Sequence, residues 1–172
     1  MLINHQLDVA VQIPSENFNQ RPPNSEITLI VLHNISLPPS EFNNDYIEDF
    51  FTNNLDTSKH AYFETIKNVK VSAHLLIKRN GSIIQFVDFD KRAWHAGESI
   101  YNKVPDCNNY SIGIELEGSD NINYETQQYQ SLNNVLSILK NYYPIANIVG
   151  HSDIAPGRKT DPGAAFIWRK IT

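Results

Sequence analysis

The seven residues Ile27–His33, ITLIVLH, constrain the fold more than any other stretch. They are apolar at odd and even positions alike and rich in branched side chains, so a strand here has no face to give to water. Such a strand belongs inside a sheet covered on both sides, which implies helices elsewhere in the chain. DYIEDFFTNNL (45–55) repeats apolar residues at helical spacing and predicts a short amphipathic helix. ETQQYQSLNNVLSILKNYY (125–143) predicts a long one that stops before Pro144. Further strands are predicted as a hairpin in HLLIKRNGSIIQFV (74–87), turning at Asn80-Gly81, an alternating strand in YSIGIELEG (110–118), and a short last strand in NIVGH. Interleaved strands and helices give an α/β fold: a single domain over 1–172, with a central mixed β-sheet flanked by α-helices. Residues 1–25 form an N-terminal arm, whose polar, proline-bearing part IPSENFNQRPPNS crosses the surface before the core begins.

Charge and composition narrow the function classes. A formal net charge of −5 provides no basic field, which argues against nucleic acid as a partner. ITLIVL, the most apolar run, is far too short to cross a bilayer, and the first twenty residues lack the pattern of a secretory signal. Cys107 is the only cysteine, so no intrachain disulfide can form. The expectation is a cytoplasmic protein with no membrane partner.

GHSDIAPGRKTDPG (150–163) is too rich in glycine and proline for a helix or strand interior and predicts a loop. It nevertheless carries His151, Asp153, Arg158, Lys159 and Asp161. His33 follows the first buried strand, His151 follows the last, and Glu115 lies within SIGIELE. Strand ends of α/β sheets are where reactive groups gather. His33, His151 and Asp161 form a ligand set typical of catalytic zinc, with a fourth position open. The alternative is that both histidines are buried, hydrogen-bonded imidazoles and that Asp161 caps a helix with Pro162 at its first position.

VLHNIS, VSAHLLIKRNGSIIQFV, RAWHAG, NNYSIGIELEG and GHSDIAPGRKTDPG occur in the order found in zinc-dependent N-acetylmuramoyl-L-alanine amidases of the amidase_2 type. From about residue 20 onward the chain resembles this family, most of all its cytoplasmic branch acting on 1,6-anhydro-muropeptides in cell-wall recycling. The fold implied is that shared with peptidoglycan-recognition proteins. The resemblance implies one Zn2+ per chain held by His33, His151 and Asp161, with Glu115 as general base and Lys159 steadying the oxyanion. Other branches often have cysteine at the third ligand position, where this chain has aspartate. The implied reaction is hydrolysis of the amide between the lactyl group of N-acetylmuramic acid and L-alanine of the stem peptide. The partner is then a small muropeptide, met by a monomer. Rival readings are a phage or autolytic amidase acting on intact peptidoglycan, or a non-catalytic peptidoglycan-binding module.

Other polar and aromatic residues carry two readings each. Asn34 supports the metal site or binds peptide; Trp94 stacks on sugar or fills core; His95 contacts substrate or packs. His74 is expected to be structural, His5 and His60 surface residues, and Cys107 a small buried side chain without catalytic role. Glu117, on the same strand face as Glu115, is a candidate second acid, while Asp153 and Arg158 are expected to pair across the loop. Asp106 departs from the family pattern, which has arginine there to grip a stem-peptide carboxylate. Arg79, Arg92 and Lys103 are the candidate substitutes.

Overall fold

The computed structural model describes residues 1–172. Its main sheet has six strands: β1 (Val11–Gln12), β2 (Leu29–Ile35), β3 (Leu75–Ile77), β4 (Ile83–Gln85), β5 (Ser111–Glu117) and β6 (Asn147–Gly150), in the order β6-β2-β5-β3-β4-β1. All neighbours run parallel except β3 and β4, so the sheet is mixed, as predicted. The helices are α1 (Tyr46–Phe51), α2 (Ala61–Ile66), α3 (Thr126–Tyr142) and α4 (His151–Ile154). No helix is long and apolar enough to cross a membrane.

The two faces of the sheet differ in chemistry. Ile30 and Leu32 of β2, Leu75 and Ile77 of β3, and Ile112, Ile114 and Leu116 of β5 join Leu132, Val135, Leu136 and Leu139 of α3 in one core. The helical spacing of these α3 residues supplies one apolar stripe for one apolar sheet face. Truncating Leu136, which is fully buried, is expected to cost about 2–5 kcal/mol. Gln128 ties the start of α3 to the strand ends: its Oε1 accepts the Glu125 N–H, and its Nε2 donates to the carbonyls of Ile77 and Glu117. The opposite face of β5 carries Ser111, Gly113, Glu115 and Glu117. All seven β5 residues are buried, so its alternation marks an apolar side and a polar interior side rather than a solvent side.

The hairpin forms around Asn80-Gly81 with a three-residue connection. The Lys78 N–H donates to the Ser82 carbonyl, the Gly81 N–H donates to the Lys78 carbonyl, and Gly81 takes φ +84°. A turn closed by a left-handed residue favours glycine at that position.

Four local expectations are corrected. His33 lies inside β2, which continues to Ile35, rather than just after it. The predicted loop at 150–163 begins with the single helical turn of α4, stabilised by the Asp153 carboxylate accepting the Gly150 N–H at 2.7 Å. No helix starts after Asp161; Thr160–Gly163 is a turn closed by the Gly163 N–H on the Thr160 carbonyl. The N-terminal arm is more than a surface crossing: β1 extends the sheet, Phe18–Gln20 pairs with Lys91–Ala93, and Leu2 and Leu7 enter the core. Backbone pairing at an open sheet edge outweighs the weak local signal of two- and three-residue strands.

Candidate active site and metal centre

Parallel register builds the site. His33 and Glu115 are direct partners across β2 and β5, so both side chains leave the same sheet face. Gly150 of β6 pairs with Leu32, which puts His151 beside His33 as the chain turns into α4. Asp161 returns to this point because the Ser152 N–H donates to its backbone carbonyl at 3.0 Å.

The three side chains converge. His33 Nδ1 and His151 Nδ1 lie 2.9 Å apart, and each is 3.1 Å from Asp161 Oδ2. Both imidazoles are buried. His151 Nε2 lies 3.0 Å from the Ala96 carbonyl, which can only accept, so Nε2 bears the proton and Nδ1 presents a lone pair. His33 Nε2 lies 3.0 Å from His95 Nδ1. Two imidazole nitrogens and a carboxylate oxygen facing one point form an arrangement that a cation relieves. The donor set fits zinc with one position left for water or substrate.

Electrostatics follow from burial. Burial pushes the His33 imidazole down to about 4, although the nearby Asp161 carboxylate, which favours a protonated ring, pulls the other way. Burial alone would raise Asp161, yet the imidazoles of His151 and His33, each 3.1 Å from its Oδ2, hold its carboxyl below the usual range. Glu115 is pushed well above an ordinary carboxyl by burial and by the nearby Asp161 charge, opposed by Lys159. Its Oε2 is buried without a hydrogen-bond partner. A buried carboxyl oxygen with nothing to bind is costly, and such groups gather where proton transfer is needed.

These groups open on a cavity of about 670 Å³, within the range of small-molecule sites. His33, Glu115, His151, Lys159 and Asp161 line it, together with Asn34, Trp94 and His95. Phe50, Phe51 and Ile66 give it an apolar wall. Lys159 is exposed and follows α4. Asn34 donates to Asp120 Oδ1 at 2.8 Å, and Trp94 Nε1 donates to Asn19 Oδ1 at 3.0 Å. The two ring nitrogens of His95 face His33 and Ser111 Oγ, so both are taken by protein partners.

Glu117 does not join the site. Its carboxylate accepts the backbone N–H groups of Asn43 at 2.7 Å and Arg79 at 2.9 Å, and the residue is fully buried. Asp153 and Arg158 do not pair: Arg158 Nη2 donates to the carbonyls of Ala96 and Glu98, while Asp153 binds Gly150. Asp106 precedes the short 3-10 turn Cys107–Asn109 in a left-handed backbone conformation, makes no side-chain capping bond, and does not line the cavity. Arg79, Arg92 and Lys103 do not line it either, whereas Arg158 does. His74 is structural, as expected: its Nδ1 accepts the Gly113 N–H, its Nε2 donates to the Lys91 carbonyl, and burial lowers it to about 3. Sequence reasoning passed over Ser111, Asn108 and Asp120. The one local signal near them was Gly113, a glycine inside a strand, which marks a close approach.

Residues 23–164 match the Amidase_2 family model, N-acetylmuramoyl-L-alanine amidase. The chain is 50% identical over 164 residues to the 1,6-anhydro-N-acetylmuramyl-L-alanine amidase AmpD of Escherichia coli K12, covering 94% of this chain and 90% of that one. A crystal structure of a selenomethionine AmpD derivative superposes with TM-score 0.97 at 48% identity, covering 100% and 99% of the two chains. The E. coli amidase AmiD, solved with anhydro-N-acetylmuramic acid-L-Ala-D-gamma-Glu-L-Lys, matches with TM-score 0.60 at 26% identity, over 91% of this chain and 65% of that one. With a matching family model over most of its length, a half-identical relative and a shared fold, this chain belongs to the N-acetylmuramoyl-L-alanine amidase family, Amidase_2.

Proposed function

We propose that this protein is a zinc amidase that hydrolyses the bond between the lactyl group of 1,6-anhydro-N-acetylmuramic acid and L-alanine of the stem peptide, in muropeptide recycling. The carrying observation is the convergence of His33 Nδ1, His151 Nδ1 and Asp161 Oδ2 beside an unpartnered Glu115 carboxyl, in a cavity of small-molecule size. The half-identical relative named for this substrate supports the anhydro form.

His33, His151 and Asp161 would hold zinc. Once bound, the ion supplies Lewis acidity toward the amide carbonyl and lowers the pKa of attacking water. The chain's own residues do the rest. Glu115 takes a proton from the attacking water and returns it to the departing alanine nitrogen, and burial strengthens it as a base for that exchange. Lys159, at the cavity wall, offers its ammonium to charge developing on the carbonyl oxygen. Asn34 and Trp94 line the same cavity, which supports their meeting peptide and sugar there. Buried Cys107 needs no oxidising compartment, in keeping with a cytoplasmic enzyme acting as a monomer on soluble fragments.

The test is to incubate the zinc-loaded protein separately with soluble anhydro-muropeptide and with intact sacculi, following release of free peptide. Fast cleavage of the soluble substrate and slow release from sacculi is the expected result. The reverse preference makes the protein a wall-lytic amidase, and no cleavage of either leaves a binding module.

A further inference from the structure

We propose that His95 is a positioning residue for His33, seated by Gly113 and set by Ser111, so that His33 presents Nδ1 to the metal. The inference rests on the metal reading above and extends it to residues that touch neither metal nor substrate through a polar atom.

The proton positions follow from one backbone carbonyl. Ser111 Oγ lies 2.6 Å from the Cys107 carbonyl, which can only accept, so the single hydroxyl proton is spent there. Toward His95 Nε2, 3.3 Å away, Ser111 Oγ can then only accept. His95 therefore carries its proton on Nε2 and leaves a lone pair on Nδ1. That lone pair accepts the His33 Nε2–H at 3.0 Å, and the lone pair of His33 is left on Nδ1, facing His151 and Asp161. Each step forces the next.

The backbone supports the same arrangement. His95 and Ala96 are adjacent, and between them they hold the outer nitrogens of both histidines: His95 Nδ1 for His33, the Ala96 carbonyl for His151. Asn108 Oδ1 accepts from both their backbone N–H groups, at 3.2 and 2.8 Å, and pins this pair. Gly113 explains why β5 carries a glycine in mid-strand. A Cβ there would lie 2.4 Å from His95 Cγ and 2.5 Å from Nδ1, so only glycine leaves room for the ring. A ligand histidine held by a hydrogen bond on its outer nitrogen keeps its orientation and tautomer, and losing that partner typically weakens metal binding 10–100-fold.

The test measures zinc affinity by competition with a chromophoric chelator, and histidine tautomers in the metal-free protein by long-range proton–nitrogen NMR. His95→Leu should weaken zinc about 10–100-fold and leave His33 without a fixed tautomer. His95→Asn, which puts an Oδ1 acceptor where Nδ1 stood, should restore affinity close to the parent. Gly113→Ala should weaken zinc as His95→Leu does, through displacement of the ring. If His95→Leu does not fold, Ser111→Ala carries the test, with loosened tautomers and weaker zinc expected. Parent-like affinity with His33 still protonated on Nε2, in His95→Leu or in Ser111→Ala, overturns the proposal while leaving the metal reading intact. A parent that takes up no zinc overturns both.

Discussion

Glu115 and Glu117 stand two residues apart on one strand, yet the structure assigns them opposite consequences on removal. Glu117 is fully buried and accepts two backbone N–H groups, from Asn43 and Arg79. Glu117→Ala strands both donors, and an unsatisfied buried donor costs about 1–3 kcal/mol. Since both donors are only partly buried, the lower end applies, or about 2 kcal/mol for the pair. For a chain of this size that lowers the melting temperature by about 4–8 °C. Glu115 has no partner to strand, so Glu115→Ala removes a desolvated carboxyl and should leave the metal-free protein as stable as the parent or more so. Its effect falls on turnover, which should drop by about 10²–10⁴ as a general base is lost, with zinc retained. The assay pairs calorimetric melting of metal-free protein with steady-state kinetics and metal analysis of the loaded enzyme. A Glu115→Ala variant that melts well below the parent while Glu117→Ala does not would refute this division of labour. Zinc loss in Glu115→Ala equal to that in His33→Ala would refute the base assignment.

Lys159→Met keeps the apolar stem and removes the cation, so zinc content and Michaelis constant should stay near the parent while turnover falls on the order of a hundredfold; unchanged turnover makes the lysine surface decoration. His151→Ala leaves two ligands and should lose zinc and activity together, as read by elemental analysis beside activity. The metal-free protein should lose stability as pH falls. Burial holds folded His33 down to about 4 and His74 to about 3, below the ordinary 6.5, so the unfolded chain binds more protons through that window. The stability they contribute is full above about pH 6.5 and declines below it by up to about 1.4 kcal/mol per pH unit for each histidine. Melting temperatures that stay flat between pH 6.5 and 4 contradict this.

Some of this architecture is written locally in the chain. The branched apolar run of β2, the Asn80-Gly81 hairpin and the long stripe of α3 depend on spacings within one element, so residue order alone implies a covered mixed sheet. The motif blocks likewise single out His33, Glu115, His151, Lys159 and Asp161, five residues the structure gathers around one cavity. What residue order cannot supply is register. Glu115 faces the site because it pairs with His33 across parallel strands, and Glu117, with the same local signature, is claimed by two backbone donors from distant loops. The same holds for Asp161, which resembles a helix cap until the Ser152 contact folds its loop back toward the histidines. It holds also for His95, whose partners Ser111 and His33 come from two different strands, and for Val11–Gln12, a two-residue strand that forms where the sheet edge at Ile84–Gln85 offers it hydrogen bonds. Periodicity states which side of its own element a residue occupies. Which groups stand across from it is decided when distant segments pack, because only then does burial compel each polar atom to find a partner.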